Sequence, residues 1–196
     1  MFSLHRRLPG QALTTLAELD EDEQRALATD LGDFLCVLHA VPVALLPERT
    51  TAPPSTDWHD LLVRCETLAF PLIAPNAVPQ LRQAFRDFLN VCDRLPRLIV
   101  HGDFGTGNIL VHEGRLTGVI DFSGCEVGDP AYDYASLAAG LGDVFVDTIL
   151  HRLQSDQGIR RRMSFYRLTF PLLDILHGLE HDDHDALRAG VEAFAD

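Results

Sequence analysis

The chain reads as a mostly helical domain that carries one small β-hairpin insertion. Three observations predict this. Apolar residues recur at helical spacing before residue 98 and again after residue 135. Between them lies a run of short apolar stretches punctuated by glycines, LIVHGDFGTGNILVHEGRLTGVIDFSGCEVGDPAYDYA, which has the period and turns of strands and loops instead. The 196 residues are 46% hydrophobic, enough to close a real core.

The first helix begins at Asp20, whose side chain caps free N–H groups while Glu23 reaches back to the cap. Leu27, Leu31, Phe34, Leu35 and Leu38 then share one face, and the pattern ends near Leu38 and His39, before Pro42. Residues 42–56, rich in Pro, Thr and Ala, form a connecting loop. Trp58, Leu61, Leu62, Cys65 and Leu68 mark a second helix, stopped by Pro71; Leu81, Phe85, Phe88, Leu89 and Cys92 mark a third. Leu98, Ile99 and Val100 form a short buried strand. Two further apolar runs, 109–111 and 116–120, are joined by Glu113-Gly114 into a hairpin. Asp129-Pro130 suits a helix entry and Gly140 a helix exit. Helices then occupy 144–153, 163–176 and 185–194.

Composition narrows the function classes. A formal charge of −13 argues against nucleic acid or an anionic membrane as partner, since both require basic footprints. A cationic substrate suits it, although an acidic surface also serves solubility alone. No stretch approaches the roughly 18–20 apolar residues of a membrane span. The two arginines near the N-terminus are not followed by an apolar run, so no secretory signal is read. Cys36, Cys65, Cys92 and Cys125 are scattered, as buried thiols in a reducing cytoplasm would be.

The chemistry concentrates in His101-Gly102-Asp103-Phe104-Gly105-Thr106-Gly107-Asn108 and in Asp121-Phe122-Ser123, which the hairpin brings to one end of a loop-plus-hairpin unit. A carboxylate and an amide oxygen are hard ligands suited to Mg²⁺, which keeps several waters and takes other oxygens from phosphates. A further carboxylate, clear of the metal, accepts the proton of an attacking hydroxyl. H-x-D-x-x-x-x-N is the spacing of a kinase catalytic loop, and Asp121 follows Asn108 by 13 positions, room for one hairpin. Asp, Asn and Gly are also ordinary turn residues, and any one motif alone would mean no more than that. Three in the right order at the right separations point to phosphoryl transfer. A dinucleotide fingerprint is excluded, because Gly105-Thr106-Gly107 lacks the third glycine and opens a hairpin, not a helix.

HGDFGTGN with IDF and GDPAYDYA resembles the aminoglycoside phosphotransferase and choline kinase-like family of small-molecule kinases. The resemblance implies the C-terminal lobe of a protein kinase-like (α+β) fold over residues 1–196, divided into a post-hinge segment (1–19, with Leu8 to Leu13 as the matching stretch), a helical part (20–97), the catalytic and metal loops (98–135) and a second helical part (136–196). It implies Asp103 as catalytic base, Asn108 and Asp121 as magnesium ligands, His101 as the group that holds the loop in shape, and Asp133 as a group bonding back to that loop. Mg²⁺ with ATP or GTP would be the cofactors. The acceptor would be a hydroxylated, cationic small molecule in the cytoplasm.

All 16 basic residues are arginine, and neither a strand lysine nor a glycine-rich loop precedes His101, so the family's β-rich N-terminal lobe is expected to be absent. Two functions follow. One is a small-molecule phosphotransferase that needs that lobe from a partner chain or an equivalent, with a homodimer driven by the exposed docking face. The other is a catalytically incompetent C-terminal lobe that acts as a binding module or scaffold for a cationic small molecule. Outside the motifs, His39 reads as packed structure. Asp57, Glu66 and Asp87 read as solvated helix faces rather than amine ligands, and Arg160, Arg161 and Arg162 as partners of the acidic surface. His177, His181 and His184 invite a metal reading, against which Gly178 and the neighbouring aspartates suggest a wet turn.

Overall fold

A computed structural model describes residues 7–45, 53–153 and 158–195. In chain order its elements are β1 (Gln11–Ala12), α1 (Glu21–His39), α2 (Pro54–Arg64), α3 (Val78–Leu89), β2 (Leu98–Val100), β3 (Ile109–His112), β4 (Arg115–Val119), β5 (Glu126–Gly128), α4 (Ala131–Leu141), α5 (Asp143–Arg152), α6 (Ile159–His181) and α7 (His184–Glu192). They pack as two compact units, one of residues up to 47 with 96–159, the other of 48–95 with 160–196. The mostly helical class with a small hairpin insertion is what the structure shows.

In the first unit, α1 starts as its sequence dictates. Asp20 accepts from the backbone N–H groups of Asp22 and Glu23, each at 2.9 Å, and Glu23 Oε2 accepts from Asp20 N at 2.9 Å. Leu27, Leu31 and Leu35 are fully buried, and α1 packs on α5 and β4. The hairpin turns where Glu113 and Gly114 both take positive φ, 50° and 68°, as a tight two-residue connection requires. Asp30 on α1 clamps the hairpin: Arg115 donates to it from Nε at 2.7 Å and from a terminal nitrogen at 2.8 Å, and Leu116 N donates at 3.2 Å. Two small antiparallel sheets result, ordered β1-β3-β4 and β2-β5. β1 and β5, too short to show alternation, were not legible beforehand.

Helix α4 does not exit at Gly140. It continues to Leu141, and Gly142, at φ +85°, makes the turn while its N–H bonds to Ala138 O at 2.9 Å. Gly140 instead faces Thr106, whose Cγ2 lies 2.6 Å from where a Cβ would stand, so a side chain there would collide with the glycine-rich loop.

The second unit is organised on Trp58, which meets Phe88, Phe165 and Tyr166 at centroid distances of 5.1, 5.3 and 5.5 Å. Pro71 does not stop α2. The chain passes through a π turn, Cys65–Ala69, into a 3₁₀ turn, Phe70–Leu72, where Pro71 sits in the first turn and needs no N–H partner. Cys92 lies beyond α3, which ends at Leu89, and opens a separate 3₁₀ turn. Nor does Gly178 form a turn: α6 runs through it to His181, and the reversal falls at Asp182, φ +55°. Gly178 is needed because Asp183 O and Leu187 N would stand 2.6 Å from a Cβ. Glu66 pairs with Arg82 at 2.8 Å and Asp87 with Arg161 at 3.0 Å, the solvated pairing expected of those faces. Among the described residues no helix is long and apolar enough to cross a membrane.

Candidate active site

Every residue singled out in the central motifs lies in the first unit. Strand β2 delivers the chain to His101, fully buried, and the loop then turns at Gly102, φ +78°. That turn is possible only for glycine. A Cβ on Gly102 would lie 2.1 Å from Gly124 O, so the loop after β2 and the loop after β4 touch backbone to backbone. This contact brings the Asp103 loop beside the Asp121 turn.

His101 ties the loop together through its ring. Nε2 lies 3.1 Å from Ile120 O, and Nδ1 accepts from Asp103 N at 3.3 Å. A carbonyl only accepts, so the proton sits on Nε2 and the lone pair on Nδ1. Its ring packs against Phe104 and Phe122 at 5.5 and 4.7 Å, and Phe104, itself fully buried, stacks on Phe34 of α1.

Asp133, in the first turn of α4, is fully buried and accepts from three donors. Its Oδ2 takes His101 N at 2.9 Å and His39 Nε2 at 3.2 Å, and its Oδ1 takes Gly102 N at 3.1 Å. His39, read from sequence as packed structure, is therefore the link between the C-terminus of α1 and the loop. A carboxylate at a helix N-terminus is also favourably placed toward the macrodipole.

Asn108 closes the loop. Its Nδ2 donates to Asp103 O at 2.9 Å and to Asp103 Oδ2 at 2.8 Å. Both partners are acceptors, so the amide nitrogen faces Asp103 and the amide oxygen faces away from it. Asp103 is exposed, and its Oδ1 lies 3.9 Å from where a Cβ on Gly105 would stand, an ordinary contact. Ile120 N donates to Asn108 O at 3.0 Å, extending the β3–β4 ladder, and so sets Asp121 beside Asn108.

Asp121 takes a left-handed backbone, φ 60° and ψ 70°, uncommon for a non-glycine residue. Its Oδ1 accepts from Ser123 N at 3.3 Å, and hydrogen bonding from Ser123 holds its carboxyl below the ordinary carboxylate range. Tyr132, beside Asp133, was missed in the sequence. Burial first, and then the charges of Asp103, Glu126 and Asp133, push its hydroxyl up to about 12, so it stays protonated near the loop. The motif supplied a signal for it only as an aromatic next to Asp133.

Next to Ile120 an open groove of about 700 Å³ is lined by Arg7, Leu8, Gly10, Gln11, Ala12, Leu110 and Ile120. Leu8 is 40% and Ile120 38% exposed, an apolar surface on the same unit as the loops.

The donor set fits Mg²⁺ in kind. The Asn108 amide oxygen faces away from Asp103, and Asp121 is exposed with its carboxyl held below the ordinary range, so both offer hard oxygens of the kind Mg²⁺ takes.

The chain is similar to known proteins in sequence and in fold. The profile of the phosphotransferase enzyme family matches residues 1–166. The chain is 30% identical over 201 residues to the viomycin phosphotransferase of Streptomyces vinaceus, covering 96% of this chain and 67% of that protein. It is 46% identical over 150 residues to the hygromycin-B 4-O-kinase of Escherichia coli, covering 69% of this chain and 42% of that one. Among solved structures, the GDP and kanamycin complex of APH(2")-IIia is similar with a TM-score of 0.86 at 26% identity, covering 97% of this chain and 68% of that one. The fold matched is the C-terminal lobe of a kinase-like phosphotransferase, and the chain belongs to the phosphotransferase enzyme family.

Proposed function

We propose that this chain is the C-terminal-lobe domain of a small-molecule phosphotransferase, which transfers the γ-phosphate of ATP or GTP to a hydroxyl of a cationic, antibiotic-like acceptor with Mg²⁺. The observation that carries this reading is the Asn108 bond to Asp103: it fixes Oδ2 of an exposed carboxylate, whose other oxygen is Oδ1. In that position Asp103 accepts the proton of the attacking hydroxyl at Oδ1. Asn108 and Asp121 would hold the metal, which when bound neutralises phosphate charge. His101 and Asp133 keep the loop in register, so catalysis rests on positioning. The apolar groove beside Ile120 suits a flat base, and it also offers a seat for an N-terminal-lobe partner or a second copy. The chain spans 42–68% of the length of the proteins described above.

The acidic charge favours cationic acceptors and equally suits the second reading, a module that binds such a molecule without turnover. A calorimetric titration with Mg·ATP and with Mg·GTP, on the wild-type chain and on Asp121→Ala, separates them. Nucleotide binding that Asp121→Ala abolishes supports the first reading. Equal binding by both proteins removes Asp121 from its role, and acceptor binding without nucleotide binding supports the second.

A further inference from the structure

The hairpin of β3 and β4 is paired in two registers. Near its turn, Val111 faces Leu116 and His112 faces Arg115; toward its open end, Leu110 faces Gly118 and Ile109 faces Val119. Thr117 is the extra residue between the two, a β-bulge on β4. Its hydroxyl donates to Pro9 O at 2.7 Å, and Leu110 O lies 3.1 Å from the same oxygen. The chain entering ahead of β1 is shaped around this bulge. A Cβ on Gly10, at φ +99°, would stand 2.5 Å from Thr117 Oγ1, and a Cβ on Gly118 would stand 2.6 Å from Leu8 Cδ1.

The bulge decides what stands opposite Asn108. Asp30 holds the turn end through Arg115 and Leu116, which fixes the first register. Carried on without a bulge, that register would set Val119 opposite Asn108 and Gly118 opposite the buried Ile109. With the bulge, Ile120 N donates to Asn108 O at 3.0 Å, and the next residue is Asp121. A slip of one residue also turns every side chain to the other face of its strand.

We propose that Thr117 is a positioning residue for Asn108 and Asp121: its bulge, pinned on Pro9 O, sets the register that places Asp121 beside Asn108. This rests on the metal role proposed above for that pair. Bulges next to functional sites re-aim the side chains that follow them, and here the side chain re-aimed is Asp121. Leu8 and Gly10, on either side of Pro9, line the groove beside Ile120. A shift of that entering segment therefore reaches the metal pair through one hydrogen bond, from Thr117 to Pro9.

The test compares Thr117→Val, which keeps the branched shape and removes the hydroxyl, with Thr117→Ser, which keeps the hydroxyl, both in the 196-residue chain. In the metal-free proteins, NMR follows hydrogen exchange of the Ile120 amide and the Hα–Hα contact of Ile109 with Val119, a pairing that belongs to the bulged register alone. Mn²⁺ alone is then added, and its paramagnetic broadening is read at Asn108 and Asp121; circular dichroism checks helix content. In Thr117→Val the Ile120 amide should exchange roughly threefold to tenfold faster, the scale of one lost hydrogen bond. The Ile109 contact should weaken and the joint broadening of Asn108 and Asp121 should be lost, while Thr117→Ser matches the wild type. An Ile120 amide and an Ile109 contact unchanged in Thr117→Val, or a Thr117→Ser protein that behaves like Thr117→Val, overturn the proposal and leave the metal role standing. A wild type in which Mn²⁺ broadens neither Asn108 nor Asp121 overturns the metal role instead, and the positioning role with it.

Discussion

Replacing Asp133 by Ala should unfasten the loop that presents Asp103. The carboxylate is fully buried and accepts from His101 N, Gly102 N and His39 Nε2. Truncation leaves the two backbone N–H groups without an acceptor, and each buried orphan costs about 1–3 kcal/mol. The two together give about 2–6 kcal/mol, a large part of the roughly 5–15 kcal/mol that holds a domain folded. Relief of the carboxylate's own desolvation offsets some of this, which places the expectation near the lower half of the range. Asp133→Asn keeps the volume and one acceptor and should lose less. Urea unfolding monitored by circular dichroism measures the loss, and hydrogen exchange at the His101 and Gly102 amides locates it. An Asp133→Ala protein within about 0.5 kcal/mol of wild type, the scale of an inert surface change, would refute the reasoning.

Two further expectations concern neighbouring features. Gly102→Ala forces a Cβ to 2.1 Å from Gly124 O at φ +78°, whereas Gly107 has nothing within 4 Å. Gly102→Ala should therefore lower Tm by about 5–10 °C, the shift for a loss of roughly 2–3 kcal/mol in a chain of this size, while Gly107→Ala leaves it nearly unchanged; similar melting of the two variants would contradict the close approach. Asp30 is held below the ordinary carboxylate value of 3.8, first by its bond from Arg115. A depressed folded value adds stability above the unfolded pKa and loses it as pH falls through the folded one. Because Arg115 is 63% exposed, Asp30→Asn should cost only about 1 kcal/mol at pH 7, and that difference should shrink below about pH 4. A difference that is constant down to pH 2.5 in urea melts would exclude the ion pair as its source.

Local chemistry was legible in the sequence wherever a few adjacent residues decide the outcome. Asp20 and Glu23 announced the start of α1, and Glu113-Gly114 announced the hairpin, because capping and a positive-φ turn need no distant partner. The Asp103, Asn108 and Asp121 positions were legible as a spacing. What the spacing could not show was how the two loops meet. That depends on Gly102 against Gly124 and on Ile120 N reaching Asn108 O, contacts between segments separate in the chain. The misplaced helix exit has the same origin. Gly140 is glycine because Thr106 presses on it, while Gly142, two residues on, takes the positive φ. Gly178 likewise serves close packing inside α6, and the turn it was expected to make falls at Asp182. The Asp133 bridge to the loop was implied only through resemblance, and His39 entered it only once α1 and α4 were placed in space.

The most direct test of the central claim is transfer of labelled γ-phosphate from Mg·ATP or Mg·GTP to aminoglycoside and peptide-antibiotic acceptors, by the wild-type chain and by Asp103→Ala, each supplied with the N-terminal lobe that the phosphotransferase reading requires. The account predicts phosphorylated acceptor from the wild type and a loss of at least about 100-fold in the variant, the lower end of what a positioned general base supplies. Asp103 is exposed, so a folded variant is expected and circular dichroism confirms it. Transfer by Asp103→Ala at close to the wild-type rate would contradict the assignment of this loop as the phosphoryl-transfer centre.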